Sequence, residues 1–350
     1  MSEHQDWFPI PETAARNTQC SAADYDRMYA QSISAPDAFW AEQAKRIDWF
    51  TPPTKIDNWS FDPVSIKWYE DGVLNLCHNA VDRHVAAGKG DAIAFIFEPD
   101  DPAKDARRVS YSELLTEVKR MAGALKTLGV GKGDRVTIYM PMCVEGAVAM
   151  LACARIGAML APLNFRLALA EHASQLRDCA PRLLIYAEEF ADRVAELREE
   201  LPELTGASLA REWLPACAAC RGADLRNVPH DGSLDDDLLL VYTSGTTGRS
   251  KGAMLSHANL ESGARVLIAA WGWRDDDVLL HALPIFHVHG LFVALHCALL
   301  TGTPMIFMPA FDARAVLEAL PRATVLMGVP TFYTRLLEQP GLDAACCSHI

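Results

Sequence analysis

From residue 91 onward, short apolar runs alternate with segments whose apolar positions recur every three or four residues. The run over 92–97 predicts a strand. Ser110 then reads as a helix N-cap with Glu113 at the capping-box position. The apolar face that follows is Leu114, Val118, Met121, Leu125 and Leu128, and Gly129 stops the helix. A strand over 135–139, an Ala- and Met-rich helix over 144–156, a strand over 183–186 and an amphipathic helix over 190–200 come next. A short buried strand is predicted over 238–241, and a helical pattern starts at Ser256. Further strands are predicted over 278–280, 305–308 and 324–327, separated by helices over 290–300, 312–320 and 331–337. Alternation at this spacing implies βα units on mainly parallel sheets, an α/β fold.

The first 75 residues have no such period. Trp7, Trp40, Trp49, Trp59 and Trp68 are scattered through a stretch rich in Pro and Asp, with one short helix expected over 36–47 behind Pro36. A segment this weakly patterned is expected to lie as a strap, anchored by its aromatics on a larger body. The stretch over 205–233, rich in Ala, Cys, Gly and Pro, reads as an exposed loop.

Composition narrows the function classes. The 350 residues are half apolar and carry a net charge of −13. An acidic chain repels nucleic acid and anionic membrane, so phosphate ligands must be met by a local site. No apolar run reaches membrane-spanning length, since the run over 291–300 is broken by His296. The N-terminus carries acids and does not read as a signal peptide. The ten cysteines lack framework spacing: Cys217 and Cys220 have no second pair for a zinc site, and Cys346 and Cys347 are adjacent. Free thiols of a cytoplasmic protein are expected.

One stretch supplies the local phosphate site. Thr243, Ser244, Gly245, Thr246, Thr247, Gly248, Arg249, Ser250, Lys251 and Gly252 follow the strand over 238–241 and precede the helix at Ser256. Glycines let successive backbone N–H groups turn toward one point, hydroxyls add donors, and Lys251 adds charge. The spacing is not that of a Walker loop, because Ser250 stands where the second glycine should be. Gly129, Gly131 and Gly133 follow a helix rather than a strand, so they form a turn and not a dinucleotide fingerprint. A second informative stretch is Pro284-Ile285-Phe286-His287-Val288-His289-Gly290, a Pro-bounded turn carrying an aromatic and two histidines. A third is Gly328-Val329-Pro330, a strand end with Pro in the first turn of a helix.

The stretch from Thr243 to Gly252 resembles the phosphate loop of adenylate-forming enzymes, the family of acyl-CoA synthetases, luciferases and peptide-synthetase adenylation domains. It matches Thr-Ser-Gly-Thr-Thr-Gly-x-x-Lys-Gly at every fixed position. Residues Tyr29, Phe39-Trp40, Trp49, Lys67-Trp68-Tyr69, Asp71 to Asn75, Asn79 and Asp82-Arg83-His84 resemble the N-terminal extension of acetyl-CoA synthetases. That likeness runs to about residue 158. From Ala161-Pro162-Leu163-Asn164-Phe165-Arg166-Leu167 onward the chain is similar to malonyl-CoA synthetases. The division implied is an extension over 1–85 and an incomplete AMP-binding domain over 86–350, the N-terminal part of the large domain of the family without its C-terminal lid.

The resemblance implies an ATP-dependent carboxylate–CoA ligase that forms an acyl-adenylate and then an acyl-CoA, with malonate as the leading substrate and acetate or propionate as the alternative. ATP, Mg²⁺ and CoA are the implied small molecules, with a carboxylic acid as the other partner. Thr243, Ser244, Gly245, Thr246, Thr247, Gly248 and Lys251 would hold the ATP phosphates, Thr247 also standing near Mg²⁺. Phe286 and His287 would lie beside the acyl pocket and the CoA channel, and Gly328, Val329 and Pro330 would wall the carboxylate and adenine pockets. Arg322 would meet the far carboxylate of malonate. The second arginine of malonyl-CoA synthetases is replaced by Gly272, with Arg274 two residues on. The family's Mg²⁺-holding Glu, ribose-binding Asp and catalytic Lys match no position of this chain, so no catalytic residue is assigned. The alternative expectation for the isolated chain is a non-catalytic remnant that at most binds nucleotide.

Overall fold

The computed structural model of the chain describes residues 20–101, 103–220, 236–243 and 250–350. In chain order the strands are β1 (Asp57–Phe61), β2 (Val64–Trp68), β3 (Ile93–Phe97), β4 (Arg107–Ser110), β5 (Arg135–Tyr139), β6 (Met159–Pro162), β7 (Leu183–Tyr186), β8 (Gly206–Ser208), β9 (Asp237–Thr243), β10 (Lys251–Ser256), β11 (Leu279–His281), β12 (Met305–Phe307) and β13 (Val325–Leu326). Two sheets build the body. One has the order β10-β9-β6-β5-β7-β8, the other β13-β11-β12-β3-β4. Each is parallel apart from one antiparallel edge pair, β10 with β9 and β4 with β3. This is the expected α/β architecture.

The two sheets share a core. Helix Val144–Ile156 lies between them, and every residue of it except Glu145 is buried. A helix apolar on all faces can only sit inside a layer of protein, which is why its Ala- and Met-rich sequence has little amphipathic period. Helix Tyr111–Thr127 packs beside it, opened by the capping box between Ser110 and Glu113 that the sequence predicts. Phe95 and Phe307 from one sheet and Val136, Ile138 and Leu160 from the other join the same apolar cluster. Outside the six-stranded sheet, helices Leu169–Cys179 and Ala191–Glu200 cover Leu184 with Leu176, Val194 and Leu197. Outside the five-stranded sheet, helix Ala313–Ala319 covers Leu280 and Ile306.

The N-terminal region is more ordered than its pattern suggests. Beyond the expected helix, here Pro36–Ala44, it holds a helix over Ala22–Ser34 and the hairpin β1–β2. The helix is capped by Ser21 and Asp24, and Tyr25, Tyr29 and Ile33 recur at helical spacing, but all three are exposed. In the hairpin, Trp59, Phe61, Val64 and Ile66 alternate correctly and are exposed too. The aromatics hold the segment to itself rather than to the body: Trp40 packs edge-on against Trp68, the Trp49 indole donates to the Ala44 carbonyl, the Tyr69 hydroxyl donates to the Trp40 carbonyl at 2.8 Å, and Trp59 is exposed. Trp7 lies outside the described residues. Deeper ties follow. Arg155, fully buried, forms a two-pronged pair with Asp82 at 2.9 and 3.1 Å, and Asn75 donates to the Ala154 carbonyl.

The loop expected over 205–233 needs correction. Its first part forms β8, a helical turn over Leu209–Trp213 and helix Leu214–Ala219, and buries Trp213 and Cys217. Pro215, at the start of the second helix, suits a first turn rather than a loop. Residues 221–235 lie outside the described residues. All ten cysteines are free thiols. Among the described residues no helix is long and apolar enough to cross a membrane.

Candidate functional site

In α/β folds, ligands bind where loops leave the carboxyl ends of parallel strands. Thr243, Phe286, His287, Gly328, Val329 and Pro330 all follow such ends, of β9, β11 and β13. Thr243 closes β9 and stands opposite Lys251, the first residue of β10. Both are exposed, and the Thr243 hydroxyl donates to the Lys251 carbonyl at 3.4 Å. Ser244, Gly245, Thr246, Thr247 and Gly248 lie outside the described residues. The stems on either side are held by helix Leu169–Cys179: the Tyr242 hydroxyl donates to Asp178 at 2.6 Å, and the buried Gln175 amide donates to the Ser250 hydroxyl at 3.4 Å. Behind the loop, helix His257–Ala270 starts where expected and is capped by Ser256 through Asn259.

The turn after β11 meets the ends of β5 and β6. The Ile285 N–H donates to the Met142 sulfur at 3.1 Å, and the Phe286 ring stands edge-on to Phe165 with centroids 5.2 Å apart. Between them is a narrow cleft of about 10 Å³, room for no more than about one water, lined by Ile138, Met140, Met142, Leu163, Ile285 and Phe286, with Pro141 and Pro162. Its walls are apolar. Gly290 is required by the closeness of this turn: a Cβ there would lie 2.2 Å from the Pro284 carbonyl oxygen. His287 is exposed and packs on Phe286 at 4.6 Å. Partial burial lowers its pKa, and the nearby positive charge of Arg166 adds to the effect.

Arg166, which its motif names without a role, also stands beside this turn. It leans on the Phe165 ring, 5.7 Å from its centroid. The loop carrying it is fixed by Arg193, which donates to the carbonyls of Phe165 and Leu167, and by His172 at the Asn164 carbonyl. The signal was present in Asn164-Phe165-Arg166, a cation next to an aromatic directly after a strand.

Gly328 leads into helix Pro330–Leu337, whose Phe332 stacks on Phe311 at 3.7 Å. Arg322 sits before β13, in the turn Leu320–Arg322, on the side of the sheet away from the cleft. Its guanidinium donates to Glu98 at 2.8 Å, and it is half exposed. Gly272 has φ of 66°, a left-handed conformation that a side chain strains, so an arginine is not accommodated there without rearrangement. Arg274 is held by Asp276 and Asp277. Asp277, buried, also accepts from the Thr324 hydroxyl at 2.8 Å. The two segments expected to supply malonate-binding arginines thus meet through Asp277. Among the described residues there is no group of three or more His, Cys, Asp or Glu able to hold a metal ion.

Comparison with known proteins bears on this arrangement. The family model of AMP-binding enzymes matches residues 82–349, and that of the acetyl-coenzyme A synthetase N-terminus matches residues 25–80. The chain is 37% identical over 324 residues to the acetyl-coenzyme A synthetase of Bradyrhizobium diazoefficiens, covering 86% of this chain and 50% of the relative. It is 40% identical over 273 residues to that of Pseudoalteromonas atlantica, covering 71% and 42%. Among solved structures, ATP-bound MatB from Rhodopseudomonas palustris superposes with a TM-score of 0.70 at 38% identity, covering 79% of this chain and 53% of that one. The chain therefore spans about half the length of the relatives it matches. The match over 82–349, the two sheets and the intact Thr243–Gly252 signature agree, and the chain belongs to the AMP-binding, adenylate-forming enzyme family, with an acetyl-coenzyme A synthetase type of N-terminal segment.

Proposed function

We propose that the chain is the N-terminal part of an AMP-forming acyl-CoA synthetase acting on a short-chain carboxylate, malonate foremost. The observation that carries this is the stem of the phosphate loop. Thr243 and Lys251 face each other across the β9–β10 ladder, exposed at the carboxyl edge of the sheet. A hydroxyl, a cation and the glycine-rich turn between them suit the β- and γ-phosphates of ATP. Ser244, Gly245, Thr246, Thr247 and Gly248 would complete that cradle, and Thr247 would stand near Mg²⁺. The described residues supply no cluster for the metal themselves.

In this reading the acid's carboxylate attacks the α-phosphate of ATP and pyrophosphate leaves. The thiol of CoA then displaces AMP. Neither step demands much proton transfer, so the work of the residues is alignment and charge neutralisation. Phe286 and His287 would stand between the acyl group and the arriving thiol, and Gly328, Val329 and Pro330 would wall the carboxylate side. Malonate's far carboxylate cannot be buried without a cation, and Arg322 would meet it only if its turn came round to the cleft side of the sheet and released Glu98.

A second reading, acetate or propionate, is favoured by the apolar cleft and by the pairing of Arg322 with Glu98 and of Arg274 with Asp277. The test is acid-dependent exchange of pyrophosphate into ATP, measured on the chain and on its fusion to the C-terminal half of R. palustris MatB. Exchange with malonate above acetate supports the first reading. The reverse order supports the second, and no exchange with either acid sinks both.

A further inference from the structure

Cys346 and Cys347 stand apart from the other cysteines. Cys77, Cys153, Cys179, Cys217 and Cys297 are buried, Cys20, Cys143, Cys220 and Cys346 are partly exposed, and Cys347 is exposed, but only Cys346 and Cys347 are adjacent in the chain. Adjacent residues usually point their side chains apart, but here the turn after Gly341 brings the two sulfurs to 3.8 Å. The turn is built by Asp343. Its carboxylate accepts from the N–H groups of Ala345 and Cys346 at 2.9 Å each, its own N–H donates to the Cys346 sulfur at 3.3 Å, and the Cys346 thiol donates to its carbonyl at 3.0 Å. The His349 ring then ties the segment to the Leu320 carbonyl at 2.9 Å. Cys346 is thus held in one orientation, with Cys347 in reach of the same ligand. Slight burial and the neighbouring Cys346 raise the Cys347 pKa, so it is a thiol at neutral pH.

From this geometry we infer that Cys346 and Cys347 form a dithiol site for trivalent arsenicals. The spacing suits one arsenic atom bridging both sulfurs. With phenylarsine oxide, two S–H bonds break and two As–S bonds form. The oxide oxygen leaves as water with the two thiol protons, and no oxidant is consumed. A two-sulfur chelate holds its second bond at high effective concentration, so single-cysteine variants should bind at least about 10²-fold more weakly. The nucleotide cradle plays no part in the site.

Phenylarsine oxide added to the 350-residue chain, followed by intact and peptide mass spectrometry, tests this. One equivalent should add to the peptide containing Cys346 and Cys347, be released by 2,3-dimercaptopropanol and resist excess glutathione. Cys346→Ser and Cys347→Ser should each lose the glutathione-resistant adduct, while Cys220→Ser keeps it. An adduct that persists in Cys347→Ser, maps to Cys217 and Cys220, or is released by glutathione overturns the proposal.

Discussion

On the outer side of the five-stranded sheet, Arg322 is held by Glu98, and below it Arg274 and Thr324 share the buried Asp277. On the inner side, the cleft beside Phe286 is walled by Ile, Met, Leu, Pro and Phe, with Arg166 leaning on Phe165 nearby. Arg322 and Arg274 are engaged in ion pairs with carboxylates of the protein, whereas among the described residues Arg166 has no such pair. A cation already paired must give up that partner before it can serve a ligand, whereas one resting on an aromatic face keeps its hydrogen-bond donors available. A motif match identifies an arginine, and its neighbours decide what that arginine can bind.

The sharpest way to break the contrast is to remove the inner turn. Gly290→Ala places a methyl group 2.2 Å from the Pro284 carbonyl oxygen, which belongs to the backbone and cannot swing aside. We expect a loss of about 3 kcal/mol in urea unfolding and a displaced Phe286, visible as lost acid-dependent exchange. On the outer side, Asp277→Ala strands the Arg274 backbone N–H and the Thr324 hydroxyl, and should cost about 2 kcal/mol without altering the inner cleft. If Asp277→Ala leaves the unfolding midpoint unchanged, the outer network is not holding the strand starts together.

Arg322→Ala separates stability from specificity. The pair with Glu98 is half exposed, so its loss should cost under about 1 kcal/mol. If Arg322 meets malonate, kcat/KM for malonate should fall about tenfold or more, with acetate unchanged. Glu98→Gln should then raise malonate use by freeing the guanidinium. Equal values for malonate in the wild type and Arg322→Ala move the cation's role away from Arg322, and Arg166→Ala becomes the comparison to make.

A further expected effect is one of pH. Burial holds His281 far below its ordinary 6.5, at about 3, and His84 and His257 at about 4. All three stay neutral in the folded chain, while the unfolded chain takes up their protons below about pH 6.5. Stability from this source is fully present above pH 6.5 and is lost as pH falls toward 4 and then 3. Urea midpoints at pH 7, 5.5 and 4.5 should decline in that order, and His281→Asn should flatten the slope. A flat profile in the wild type would contradict the buried, neutral state.

Sheet class, most strands and the capped helices were legible because their apolar residues are buried on a period: Ser110 with Glu113, and Leu114, Val118, Met121 and Leu125, read as they fold. Helix Ala22–Ser34 and the β1–β2 hairpin were missed for the opposite reason. Their periods exist in Tyr25, Tyr29 and Ile33, and in Trp59, Phe61, Val64 and Ile66, but these side chains are exposed and so looked like scattered aromatics. At the site, Thr243 and Lys251 read from sequence as ends of one loop, whereas β10, which starts at Lys251 and pairs with β9, carries no strand signal of its own. The grip of Gln175 and Asp178 on that stem was not, because it joins residues 64 and 75 positions apart. Arg322 was legible as a charge, but its pairing with Glu98, 224 positions away, was not.

The central claim is that the loop between β9 and β10 is the polyphosphate site. Calorimetric titration of Mg-ATP into the 350-residue chain tests it most directly, with Lys251→Ala and Glu98→Gln run alongside. We expect binding by the wild type, at least about tenfold weaker binding by Lys251→Ala, and no change with Glu98→Gln. Binding that is indifferent to Lys251, or no binding by the wild type, would contradict it.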